Sequence, residues 1–139
     1  MIEVNYVSVL AAAIASMGVG FLWYSPILLG NQWMKEMNIN PKKMKMSQKA
    51  MGKMYALSTI GAVIMAYVLY HVTQMSMNFY GYEANMAGLT SAFWMWFGFV
   101  MPVQMTEVLF GGKSWRLFAI NTGYQLASML AMGVVIGNV

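Results

Sequence analysis

The sequence contains no cysteine and no aspartate, and its one histidine is His71. Without cysteine there is no disulfide, thiolate nucleophile, iron–sulfur cluster or zinc–thiolate site. Haem held by two histidines is excluded by count. A hydrolytic centre would have neither Asp nor Cys to draw on, and the single His has no visible nucleophile partner. Charge is scarce too. Charged residues are 9% of the 139 and hydrophobic residues 60%; average soluble domains are about 25% charged. A soluble fold this small exposes too much of its surface to hide that apolar area. These absences leave a non-enzymatic membrane protein as the expectation, with no cofactor. The net charge of +4 would suggest nucleic acid in a soluble protein. Here the placement of the charges points to lipid, and no nucleic acid is expected.

What the sequence does have is four long apolar stretches, over about 4–24, 54–72, 86–110 and 115–139. Each can cross about 30 Å of hydrocarbon at about 1.5 Å per helical residue. Barrel strands would alternate polar and apolar residues in shorter pieces, and that pattern is missing. The expected architecture is all-α: an integral membrane four-helix transmembrane bundle forming a single domain over 1–139.

The basic residues orient it. Lys35, Lys42, Lys43, Lys45, Lys49 and Lys53 lie between spans one and two, and Lys113 and Arg116 between spans three and four. With an even number of spans these connections share one side. The positive-inside rule makes that side cytoplasmic in a cell membrane, with both termini and the Gln74–Asn85 loop outside. The first segment has no basic residues before it, unlike a cleaved signal peptide. Lys42, Lys45, Lys49 and Lys53 recur three or four apart, so they share one helical face suited to anionic lipid headgroups. Asn40-Pro41 reads as a cap followed by a first-turn proline for that helix.

The stretch Gly20-Phe21-Leu22-Trp23-Tyr24-Ser25-Pro26 ends span one. Trp23 and Tyr24 suit a membrane interface. Ser25 is expected to cap a short interfacial helix that begins at Pro26. Leu29, Trp33 and Met37 would form its apolar stripe, with the Gln32–Glu36 pair turned away. These residues, with Gly30 and Trp33, resemble the signature of a family of small four-span membrane proteins known as a domain of unknown function. Gly98-Phe99-Val100-Met101-Pro102 and Asn121-Thr122-Gly123-Tyr124 extend the resemblance over nearly the whole chain. It implies the four-span fold and carries no activity, substrate or site residue with it.

Several residues are candidates for chemistry. Glu107 is the one acidic residue inside an expected span, and intramembrane ionisable groups are often functional. It also lies near a helix C-terminus, where Lys53, Lys113 or Arg116 could compensate it. Asn121, Gln125 and Ser128 fall on one face of span four, and Gln104 and Glu107 on one face of span three. This polar seam either admits water or a small solute, or it holds the helices together. Pro102 cannot donate to the carbonyl of Gly98, so a kink is expected there. His71, Met75 and Met77 carry soft ligands that suit Cu(I), although the 17 Met are scattered and fill apolar space generally.

Small residues at four-residue spacing allow close helix approach. Span one has Ala11, Ala15 and the Ser16/Gly20 pair; span four has Gly123, Ala127, Ala131 and the Gly133/Gly137 pair. These could meet inside the bundle or face a second subunit. Phe93, Trp94, Trp96, Phe97 and Phe99 crowd span three. The preferred expectation is an assembly subunit that packs against itself or other membrane subunits. A small channel or transporter along the seam is the alternative, and an outward copper site is a third.

Overall fold

The computed structural model describes residues 1–40 and 47–139. The expectations for Pro41, Lys42, Lys43 and Lys45 lie outside the described residues. The helices are α1 (Tyr6–Trp23), α2 (Gly30–Glu36), α3 (Gln48–Tyr80), α4 (Ala84–Met95), a π-helical turn (Trp96–Val100), α5 (Met101–Leu109) and α6 (Trp115–Asn138). Four helical segments, Tyr6–Trp23, Gln48–Tyr80, Ala84–Leu109 and Trp115–Asn138, are long and apolar enough to cross a membrane. The chain is thus all-helical with the four-span architecture of a multi-pass membrane protein.

Local chemistry sets the helix ends. Asn5, Ser47 and Ser114 each accept a backbone N–H of the following first turn, from Ser8, Ala50 and Leu117 respectively. Gly81 and Gly112 take left-handed geometry where the chain reverses after α3 and α5. Asn38 does the same after α2. There Ile39 N–H bonds the Met34 carbonyl and Asn38 N–H the Lys35 carbonyl, the Schellman pattern.

Three expectations about the elements need correction. First, α3 runs on to Tyr80, so the expected Gln74–Asn85 loop shrinks to residues 81–83. The segment after Val72 is too polar to read as a span. It stays helical because it packs on α4: Thr73 is fully buried, and Ser76 and Ser91 share a hydrogen bond of 3.1 Å. Second, Ser25 does not cap α2. Its hydroxyl donates back to the Leu22 carbonyl at 2.7 Å and closes α1, while α2 starts only at Gly30. The chain does turn at Ser25-Pro26, because Pro disfavours helical geometry before it. Glu36 accepts the Ser114 hydroxyl at 2.7 Å and lies 3.6 Å from Arg116. Third, the kink at Gly98 and Pro102 takes the form of the π turn. Met101 N–H reaches back five residues to the Trp96 carbonyl, and Pro102 falls in the first turn of α5, where a missing N–H costs least.

α6 is the central column. It packs against α1 and α4 along its length and also touches α2, α3, α5 and the π turn. At the end remote from the lysines its approach to α4 is a backbone contact. A Cβ on Gly88 would strike the Gly133 carbonyl, one on Gly133 the Gly88 carbonyl, and one on Gly137 the Ala84 carbonyl at 2.8 Å. The Gly133/Gly137 pair is therefore used inside the chain. So is Ser16/Gly20: Ser16 bonds Ser128 at 2.7 Å, and Gly20 makes room for the Tyr124 ring. Large apolar side chains such as Ile14, Leu57, Ile64 and Phe99 point outward, as lipid as solvent allows.

Gly88→Ala is expected to lose about 1–3 kcal/mol of stability, since the obstructing atoms are backbone and cannot rotate away. Gly18→Ala, where a Cβ meets nothing within 4 Å, should lose none. Thermal unfolding in mild detergent compares them; equal stability of the two variants would contradict the close α4–α6 contact.

Candidate functional site: a hydrogen-bonded girdle on the fourth span

Near the lysine-rich end, consecutive residues of α6 receive side chains from both sides of the bundle. Trp23 donates its indole N–H to the Ile120 carbonyl at 3.0 Å, and Tyr24 donates its hydroxyl to Asn121 Oδ1 at 2.7 Å. From the other side, Trp96 donates to the Thr122 carbonyl at 2.9 Å, and the Thr122 hydroxyl donates to Gln104 Oε1 at 2.7 Å. The carbonyls of Ile120 and Thr122 already belong to the helix ladder. Each uses a remaining lone pair for the indole, which suits a helix in a dry surrounding.

Glycine makes these approaches possible. A Cβ on Gly123 would lie 3.1 Å from the Trp23 ring, and one on Gly20 would lie 3.1 Å from the Tyr124 hydroxyl. Gly30 serves the turn itself: its N–H bonds the Ser25 carbonyl at 2.9 Å, and a Cβ there would collide with the Tyr24 carbonyl. Tyr24 then stands edge-on to both Trp33 and Tyr124, with ring centroids 5.6 and 5.1 Å apart. Such aromatic pairs add about 0.5–1.5 kcal/mol beyond their buried area. Burial first, and Tyr124 second, push the Tyr24 phenol up to about 12, so one residue past the span it remains a neutral donor to Asn121.

The expected polar seam is thereby divided. Asn121 is engaged by the α1–α2 turn, Gln104 by Thr122, and Ser128 by Ser16 deeper in the bundle. Gln125 is half-buried and makes no side-chain hydrogen bond among the described residues. Gln104, Glu107 and Asn121 do meet at one void, shared with Lys113, of about 20 Å³. That is room for about one water molecule. The one ion pair among the described residues joins Arg116 to Glu36, so Arg116 does not compensate Glu107. The Glu107 carbonyl accepts the N–H of Gly111 and of Lys113, which ties the turn after α5. Gly98 is exposed with open space around it and lies apart from this void.

The other candidates stand elsewhere. Lys49 and Lys53 are exposed on the first turns of α3. His71 Nδ1 is 2.9 Å from the Tyr67 carbonyl, and its ring packs on Tyr67 at 4.5 Å. Met75 shares its helical face, while Met77 lies about 120° around the helix. Sequence reasoning passed over Thr122, Trp96 and Tyr124 as parts of one site. The available signal was a glycine within a turn of an aromatic residue in two separate motifs, Gly20/Trp23 and Gly123/Tyr124.

Residues 7–137 match the family described as "Protein of unknown function (DUF1761)", and the chain belongs to that family. No curated protein and no solved structure matches it. All the resembling motifs except Gly98–Pro102 converge in the girdle. Gly98–Pro102 forms the break just below Trp96.

In a double-mutant cycle, Tyr24→Phe and Asn121→Leu should each destabilise the protein and couple by about 1 kcal/mol. Chemical unfolding in detergent measures this. Strictly additive losses would mean that the hydroxyl–amide bond contributes nothing.

Proposed function

We propose that the chain is a non-enzymatic membrane subunit whose task is helix–helix assembly through α3, primarily with a second copy of itself. Its partners are then the bilayer, anionic headgroups near Lys49 and Lys53, and other membrane helices. The carrying observation is what the bundle leaves unused. The glycine and serine pairs of α1 and α6 are spent inside the chain, whereas the outer face of α3 is not. Met54, Leu57, Gly61, Ile64 and Val68 follow a three–four spacing on that face, with Met75 seven residues further on, and the large ones among them are exposed. Over six turns this is the seam of a left-handed helix pair, opposite the side that packs on α1. Gly61, with open space around it, would allow the two backbones to approach at the centre.

The first turns of α3 support this reading. Every residue from Gln48 to Ile60 is exposed, so this arm stands clear of the bundle core, touching α1 through the Phe21 and Tyr55 rings at 5.8 Å. The divided seam and its water-sized void favour assembly over conduction.

The lack of native cysteine makes the test direct. Gly61→Cys and Val68→Cys should give disulfide-linked dimers in native membranes under mild oxidation. Val134→Cys, exposed on α6, should not. Absence of the α3 cross-links together with a monomeric size in mild detergent would refute the proposal.

A further inference from the structure

The chain's single histidine, His71, falls on the same outer stripe of α3. Met54, Gly61, Val68 and Met75 recur every seven residues, and so do Leu57, Ile64 and His71. These are the a and d positions of a heptad pattern. His71 thus fills the gap between Val68 and Met75. The opposite side of α3, with Ala66, Leu69, Tyr70 and Thr73, is buried in the bundle. Met75 is 51% exposed, and His71 is half-buried.

The hydrogen bonding of His71 sets its chemistry. Nδ1 lies 2.9 Å from the Tyr67 carbonyl. A carbonyl only accepts, so this bond holds the ring proton on Nδ1. Nε2 of the neutral ring then keeps its lone pair, and it makes no hydrogen bond among the described residues. The ring also packs on Tyr67, with centroids 4.5 Å apart, which steadies its orientation. A carbonyl behind one ring nitrogen and an open lone pair on the other is the usual arrangement of a metal-binding imidazole. Met75, four residues on and on the same face, offers a thioether. One imidazole and one thioether make half a coordination shell.

A second copy supplies the other half. Two chains of one topology cross the membrane in the same direction, so their α3 helices pair in parallel. In such a pair each d residue meets its counterpart across the seam, and the a residues form the next layer. His71 then faces His71, with both Met75 side chains beside them. The four ligands are neutral, and α3 carries no Asp or Glu to add a negative charge. A divalent ion would bring two uncompensated charges into this apolar seam, and a monovalent ion only one. Soft sulfur and imidazole donors with a single positive charge select the cuprous ion.

We infer that paired α3 helices bind one cuprous ion between the His71 and Met75 side chains of two copies. The inference rests on the assembly reading given above and adds a ligand to it. It concerns binding alone, with no change of oxidation state.

The test titrates copper, kept cuprous by ascorbate and buffered by a chromogenic cuprous chelator, into the full chain in mild detergent. Light scattering reads the oligomeric size in the same samples. One ion per two chains is expected, and the dimer should survive about tenfold greater dilution with the ion than without it. His71→Ala should lose binding. Met75→Leu, similar in volume, should weaken it about tenfold. Met77→Leu, a third of a turn away, should leave it unchanged. A dimer that takes up no copper, one ion per chain, or a loss in Met77→Leu as large as in Met75→Leu would overturn the inference and leave assembly standing. A monomer at every concentration, with and without copper, would overturn both.

Discussion

In hydrocarbon polar groups are driven to find partners inside the protein, and here many of those partners are collected on one helix. α6 offers carbonyls and side chains to the α1–α2 turn on one side and to the π turn and α5 on the other. A helix donates all its own N–H groups to its ladder but keeps a spare lone pair on each carbonyl. Tryptophan indoles, which only donate, are suited to fill them. This accounts for the pairing of Trp23 and Trp96 with the Ile120 and Thr122 carbonyls of one turn of α6. It also explains why Gly123 stands beside the Trp23 ring, where a side chain would block the indole from the helix carbonyl.

The two ends of the bundle are held by different physics. Near the lysines, aromatic rings and amide or hydroxyl bonds join elements that stand well apart. At the other end Gly88, Gly133 and Gly137 bring the α4 and α6 backbones into contact, where dispersion between close-packed surfaces does the holding. Between them, the π turn at Trp96–Val100 changes the direction of span three. α4 can then lie tight on α6 while α5 diverges, with no fully buried residue of its own.

The four spans were legible because lipid demands long uncharged runs, and residues 4–24 and 115–139 differ from Tyr6–Trp23 and Trp115–Asn138 by only one or two residues. Hydropathy was less informative about α3. Residues 73–80 are polar by composition, yet Thr73 and Ser76 are directed at α4, so tertiary packing sustains a helix that the local pattern would end. Pro102 announced a break, but a proline does not specify whether a helix bends or inserts a π turn; the neighbours of Trp96 decide that. The seam residues were identified by type and phase. Their division between two sides of α6 depends on Thr122, whose neighbour Asn121 looked like the more conspicuous polar group. The Ser25 hydroxyl was assigned to the helix that follows it, and bonded the one before, because a four-residue turn intervenes before Gly30.

Lipid as the solvent, with α3 crossing it once between the lysine-rich connection and the 81–83 turn, is the condition on which all of this rests. Single-cysteine labelling tests it most directly, since the native chain contributes no background thiol. Lys49→Cys and Glu83→Cys bracket α3 and can be probed in sealed, oriented vesicles with a membrane-impermeant maleimide. Labelling from opposite faces is expected. Labelling of both positions from the same face would contradict the four-span arrangement and with it the shared role of α6.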